Sequence, residues 1–274
     1  MPPVKPESAA TPDPRLLVVG YGAMAGAMVE GWLAAGMPPS ELLIYNPRPK
    51  PVPEGVAFTT DLPGRAHRQV LLAFKPQLLG EVVSSIAPCV GPESVILSVL
   101  AGVELVTLQR HLPDAGGYVR FMPNLAAAIG KSPNALVAAG LDGERREAVT
   151  GLAQMLGTAE WLEDETLFDL VTALAGSGPG FVYRFVDALA KGAAELGLDR
   201  AKADRLALQM VEGAAMLAAA SPHDPATLAA RVASKGGMTQ AGLDVLDDEG
   251  SLDQLVVRTL RAARDRGRSM SGGR

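Results

Sequence analysis

The sequence predicts an α/β protein, a parallel sheet with helices on both faces followed by an all-helical second domain. Three observations predict it. Short aliphatic runs alternate with helical segments as far as about residue 163, the pattern of strands buried in a parallel sheet. A glycine-rich turn, Gly20-Tyr-Gly-Ala-Met-Ala25, joins the first such run to the first helix. Beyond Glu163 strand signals stop, and alanine, leucine and charged residues recur at helical spacing. The expected division is a tail over 1–14, a sheet domain over 15–163 and a helical domain over 164–274.

The elements follow in order. The tail holds five prolines and no apolar core, so disorder is expected there rather than a signal peptide. Arg15–Val19 reads as the first buried strand. Gly22–Ala35 carries Met24, Met28, Trp32 and Ala35 on one helical face. Leu42–Tyr45, Gln69–Phe74, Ser94–Leu100 and Tyr118–Met122 are the next strands, with Ala135–Ala138 and Ala159–Leu162 as later ones. Leu78–Ala87 and Glu104–His111 are helices between them. In the second half Phe181, Phe185, Ala188, Leu189 and Gly192 form one helical stripe. Leu252, Leu255, Val256, Thr259, Leu260 and Ala263 form another, and Gly197 reads as a helix C-cap.

Composition excludes several classes of function. The net charge of −5 over 274 residues argues against a general nucleic-acid surface. The single cysteine, Cys89, rules out an intrachain disulfide, and the three histidines lack ligand spacing, so no metal is expected. No apolar run reaches the roughly 18 residues of a membrane span. A cytoplasmic protein is the default expectation.

The glycine-rich turn matches the dinucleotide fingerprint of a Rossmann-type domain, with alanine in the third glycine position. Gly20 permits the tight turn, Gly22 lets the N–H groups of Tyr21, Gly22, Ala23 and Met24 approach a pyrophosphate, and Ala25 allows close helix–strand packing. A cofactor with a free ribose 2′-hydroxyl calls for Asp or Glu at the end of the second strand. Here that strand ends Tyr45-Asn46-Pro47-Arg48. Arg48 is either the partner of a 2′-phosphate, with Asn46 bonding nearby, or an ordinary surface cation. NADPH is favoured, with NADH possible. Ala73, Phe74, Lys75 and Pro76 end the third predicted strand, and Ala101 follows the fourth. Ligands in such sheets sit outside these carboxyl ends.

The segment Ser234-Lys-Gly-Gly-Met-Thr-Gln-Ala-Gly242 interrupts strong helix formers. Each glycine in a helix costs roughly 1 kcal/mol relative to alanine. The segment is either a plain bend or a bare helix N-terminus offered to an anion.

These segments together resemble the pyrroline-5-carboxylate reductase family. The resemblance is carried by Gly20–Met24, Ala73–Gln77, Met122-Pro-Asn124, Leu174–Gly180, Gly197-Leu-Asp-Arg200 and Ser234–Leu243, in family order. Three positions depart from the family pattern: Lys235 stands where proline is usual, Gly180 where alanine is usual, and Leu125 where threonine is common. The resemblance implies a helical dimerisation domain whose helices interleave between two subunits, and in some members a larger ring of dimers. It implies hydride transfer from NADPH to the C=N carbon of a small cyclic imino acid. Gly236, Gly237, Met238 and Thr239 then suit the substrate carboxylate. The Thr239 hydroxyl either positions the ring nitrogen or relays its proton, unless it is merely a helix N-cap. Ser177 lines the pocket or only starts a helix at Pro179.

Two rivals differ in chemistry. A β-hydroxyacid dehydrogenase is similar in plan but uses a lysine where Phe181–Phe185 offers Arg184, the next lysine being Lys191. A catalytically silent NADP-binding protein would not need the Thr239 loop.

Overall fold

The first strand, β1 (Leu16–Val19), is buried along its whole length because helices cover both of its faces. Leu16 and Val18 pack in one cluster with Met28 and Trp32 of α1 (Ala23–Ala34). Leu17 and Val19 pack in the other with Leu79 and Ile86 of α2 (Leu79–Ile86). This explains why the run is aliphatic without alternation. The structure, a computed structural model, describes residues 15–271; the tail expected over 1–14 lies outside them.

Seven further strands complete one sheet: β2 (Leu42–Tyr45), β3 (Ala57–Thr59), β4 (Gln69–Leu72), β5 (Val95–Ser98), β6 (Gly117–Met122), β7 (Ser132–Ala139) and β8 (Gly157–Trp161). Their order is β3-β2-β1-β4-β5-β6-β7-β8. From β3 to β6 every pairing is parallel, with Leu17 opposite Leu43 on one side and Val70 on the other. The sheet is therefore mostly parallel, as expected, but not wholly so. β7 pairs antiparallel with β6, and β8 runs parallel to β7. The cause is length: Pro123–Lys131 is too short for a crossover, which takes about a dozen residues or more. The chain instead folds a short 3₁₀ turn over Leu125–Ile129, leaves it through Gly130 at φ 64°, and returns.

Helices α3 (Leu105–His111) and α4 (Gly143–Met155) complete the two layers, Leu105 and Leu108 lying in the cluster with α2 and Leu152 in the cluster with α1. The indole of Trp32 donates to Leu152 O at 2.9 Å, joining α1 to α4. Cys89 is buried in the α2 layer, and loss of solvent pushes its thiol pKa up. A short α5 (Phe168–Val171) runs into a π-helical turn, Thr172–Gly176.

The described residues form two compact units, one made of residues 15–176 with the segment 264–271, the other Ser177–Ala263. The second unit contains α6 (Gly178–Glu195), α7 (Arg200–Ala220), α8 (Pro225–Val232) and α9 (Met238–Asp247), and α10 (Ser251–Ser271) leads out of it. Gly197 does cap α6. It sits at φ 104°, and Leu198 N reaches back to Ala193 O at 3.0 Å, closing a Schellman turn. Asp199 caps α7 through Lys202 N, and Asp224 caps α8 through Thr227 N.

The core of this unit is small: Ala190, Ala203 and Ala207. The two apolar stripes stay on its surface. Phe181, Phe185 and Leu189 of α6 and Leu252, Leu255 and Val256 of α10 are each between 36% and 53% exposed. Apolar surface of that extent marks an association face.

Candidate active site

Four loops meet at the carboxyl ends of adjacent strands β2, β1, β4 and β5. Because the sheet order turns outward in both directions from β1 and β4, the crevice between their loops is the topological switch point where such sheets take ligands.

Gly20 leaves β1 at φ 93°, and a Cβ there would lie 2.8 Å from Ala73 O. Only glycine lets the turn pass so close to the end of β4. Gly20 N donates to Tyr45 O and Ala73 N to Val19 O, each at 2.8 Å, which ties the three strand ends together. Gly22 is the N-cap of α1, extended at φ −94° and ψ −172°, with no side-chain cap and no acidic residue in the first turn. A Cβ on Gly22 would meet nothing within 4 Å. The N-terminus of α1 is thus bare, exposed at Gly22 and Ala23, and positive by its dipole. Met24 is half-buried beside it, and Ala25 is fully buried against the sheet.

The flanking loops complete the crevice. Asn46 faces the glycine-rich turn: its Oδ1 accepts from Tyr21 N at 3.3 Å and its Nδ2 donates to Arg48 O at 2.6 Å. The Asn46 side chain is therefore engaged by protein backbone, and the exposed cation beside it is Arg48. Beyond β4, Lys75 is extended and exposed and caps a 3₁₀ turn at Pro76–Leu78. Ala73, Phe74 and Pro76 are half-buried next to it. Beyond β5, Ser98 Oγ accepts from Leu100 N, and Ala101 is exposed before Gly102 at φ 70°. The residues fit a dinucleotide: a glycine cradle that a Cβ would fill, an uncapped helix start, and a cation in place of a carboxylate. Lys50, which the sequence reading passed over, donates to Tyr21 O.

Ser177 and Gly236–Thr239 lie in the other unit. Ser177 is the N-cap of α6 by backbone, its O accepting from Gly180 N at 2.9 Å, while its exposed hydroxyl makes no cap. α6 starts at Gly178, with Pro179 in its first turn. The two glycines before α9 have separate reasons. Gly236 sits at φ 73°. A Cβ on Gly237 would lie 2.4 Å from Ser234 Oγ. Gly237 is the N-cap of α9 and no side chain caps it; the first turn holds no acid. Met238 and Thr239 are exposed, Met238 to 94%. Thr239 is the second helical residue and not the N-cap, so its hydroxyl is not used to close the helix. Lys235 is exposed on the same loop.

One link was not anticipated. Asn124, buried at the end of β6, donates from Nδ2 to Ala175 O at 2.9 Å while its Oδ1 caps the 3₁₀ turn through Ala126 N. It fastens the Met-Pro-Asn segment to the π-turn that leads to Ser177. Both segments, Met122-Pro-Asn124 and Leu174–Gly180, are among the motifs that carry the family resemblance. Among the described residues no group of His, Cys, Asp and Glu could hold a metal, and no helix is long and apolar enough to cross a membrane.

Fold and crevice together define a Rossmann-type dinucleotide-binding protein with a helical second unit. Residues 165–270 match the family model for pyrroline-5-carboxylate reductase dimerisation. The chain is 33% identical over 261 residues to pyrroline-5-carboxylate reductase of Pseudomonas aeruginosa, covering 92% of this chain and 95% of that one. It is 34% identical over 256 residues to pyrroline-5-carboxylate reductase 2 of Bacillus subtilis, covering 87% and 88%. Among solved structures, the pyrroline-5-carboxylate reductase of Coxiella burnetii superposes with a TM-score of 0.85 at 26% identity, over 94% of this chain and 99% of that one. The NADP-bound pyrroline carboxylate reductase of Plasmodium falciparum shares the fold with a TM-score of 0.81 at 23% identity, over 94% and 98%. The chain belongs to the pyrroline-5-carboxylate reductase family, oxidoreductases that use NAD(P)H.

Proposed function

We propose that this chain reduces the cyclic imine 1-pyrroline-5-carboxylate to L-proline, with NADPH as the preferred reductant and NADH the weaker alternative. Family membership carries the reaction. The bare N-terminus of α9 supports binding of the substrate, because a helix start without a side-chain cap is suited to hold a carboxylate.

The chain's own groups divide the work. Gly20 and Tyr21, whose N–H groups are taken by Tyr45 O and Asn46 Oδ1, shape the turn. The N–H groups of Gly22, Ala23 and Met24 hold the dinucleotide phosphates, Arg48 with Asn46 behind it meets the adenosine end, and Ala73, Phe74, Lys75, Pro76 and Ala101 wall the crevice. Bound there, the cofactor supplies one hydride for the C=N carbon. Gly236 and Gly237 shape the turn, Gly237 N donating to Ser234 O at 2.9 Å. The N–H groups of Met238 and Thr239 that open α9 hold the substrate carboxylate, with Ser177 lining its pocket. The Thr239 hydroxyl donates a hydrogen bond at the ring nitrogen or passes a proton to it. Threonine is a poor acid near neutral pH, so positioning or relay is its role rather than outright donation. A protonated imine is already electrophilic, and orienting it supplies several kcal/mol of the barrier reduction.

A hydrogen bond to a charged group contributes about 1.5–3 kcal/mol, so Thr239→Ala is expected to lower kcat about 10- to 100-fold. The KM for NADPH should hold. Turnover at the wild-type rate would remove Thr239 from the chemistry. Purified protein with NADPH and pyrroline-5-carboxylate, followed by absorbance, tests the activity itself; no consumption above background would defeat it.

The apolar stripes of α6 and α10 support a homodimer through the helical unit, matching the dimerisation family over 165–270. Light scattering should give at least two chains per particle, with a larger mass marking a ring of dimers and a monomer sinking the assignment. A cytoplasmic location is part of this proposal, and the single, buried cysteine is in keeping with a reducing compartment.

A further inference from the structure

The segment after β2 holds the backbone of Tyr21 from both sides. Asn46 Oδ1 takes the Tyr21 N–H, and Lys50 Nζ donates to the Tyr21 carbonyl. Asn46 Nδ2 donates to Arg48 O, which curls the segment so that Pro47 to Lys50 stands exposed at the carboxyl end of β2. The stretch Asn46–Lys50 contains two cations and no carboxylate. Among the described residues neither Arg48 nor Lys50 has an ion-pair partner.

An exposed lysine normally spreads over many rotamers. Lys50 is instead anchored on a residue of the phosphate-binding turn. An ammonium has three N–H donors, and Tyr21 O uses one, leaving two for another acceptor. The end of β2 is where this fold meets the adenine ribose, and where a carboxylate would repel a 2′-phosphate. We propose that Lys50 is a specificity residue that binds the 2′-phosphate of the cofactor together with Arg48, in a position set by the Tyr21 carbonyl. The inference rests on the reading of the crevice as a dinucleotide site. It goes beyond that reading by assigning the phosphate to two cations, one of them tied to the glycine-rich turn.

Calorimetry on the full chain with adenosine 2′,5′-bisphosphate and with 5′-AMP tests it without turnover. The wild type should bind the bisphosphate more tightly than AMP. Lys50→Met should weaken the bisphosphate about 10-fold or more, the scale of one lost bond to a charged group, and leave AMP unchanged. Lys50→Arg should restore much of the difference, and Arg48→Ala should lower the same ratio independently. A Lys50→Met chain that keeps the wild-type ratio overturns the role of Lys50 while leaving the dinucleotide site standing. Equal weakening of both nucleotides also overturns it, because Lys50 would then only prop the turn. A wild type that binds neither nucleotide overturns the crevice reading and the inference with it.

Discussion

Replacing Gly20 with valine is expected to lower NADPH affinity by at least about 100-fold, which at 1.4 kcal/mol per decade is roughly 3 kcal/mol. Two costs combine at this position. The backbone is at φ 93°, where a side chain is strained by about 1–2 kcal/mol. The new Cβ would also lie 2.8 Å from Ala73 O and 3.1 Å from the Phe74 Cβ, neither of which can swing aside, since one is backbone and the other is at the root of its side chain. Relief requires the ends of β1 and β4 to separate, and that gap is the proposed ligand crevice. The effect should therefore appear in dinucleotide binding by fluorescence titration as well as in thermal stability. Gly151→Ala is the control. Gly151 lies within α4, and a Cβ there meets nothing within 4 Å. It should gain up to about 1 kcal/mol from helix propensity and bind NADPH as the wild type does. A Gly20→Val chain with normal affinity would show that the turn does not approach the cofactor.

The contrast between these glycines shows what was legible in the chain and what was not. β1, β4 and β5 could be read because each is a mainly aliphatic run between turn residues, buried along its whole length, and β2 and β6 because each is a short run rich in apolar residues. β3 could not: Ala57–Thr59 is three residues long, half-exposed at the sheet edge, and too short for periodicity to register. The reversal at β7 was equally hidden in the strand itself, because the side-chain pattern of a buried strand carries no direction. The short Pro123–Lys131 connection carried it instead. The apolar stripes of α6 and α10 were readable as stripes, yet periodicity does not say whether a face is buried by its own chain or by another. In the site, the glycines and the missing carboxylate at the end of β2 were plain. The engagement of Asn46 by Tyr21 N and Arg48 O was not, since an amide can face either a ligand or backbone. Lys50 was missed because the reach of a flexible side chain is set by its neighbours in space, although a second cation two residues after Arg48 was a usable signal.

Arg120→Met is expected to destabilise the protein by about 3 kcal/mol, a fall in Tm on the order of 5–10 °C. Arg120 stands in β6 opposite Ser98, with 4% of its surface exposed. Its guanidinium meets Glu165 at 2.9 Å and Asp169 at 3.7 Å and lies 4.0 Å over the Phe168 ring. Glu165 uses the same oxygen to accept from Leu105 N at the start of α3. One buried cation thus gathers α3, α5 and the strand. The whole effect of a buried pair is not expected, because Glu165 and Asp169 keep some solvent, and methionine retains the apolar stem over Phe168. Function should suffer beyond stability. The residues Arg120 holds lead directly into the π-turn Thr172–Gly176, whose Ala175 O is bound by Asn124 and which delivers the chain to Ser177. Because that segment leads into α6, kcat should drop in Arg120→Met at temperatures well below its melting point, while affinity for NADPH, whose proposed site is at β1 and β2, stays near wild type. Glu165→Gln, which keeps a neutral acceptor for Leu105 N and loses only the charge, should reproduce a smaller share of both effects. Arg120→Met with full turnover below its Tm would confine this residue to stability alone.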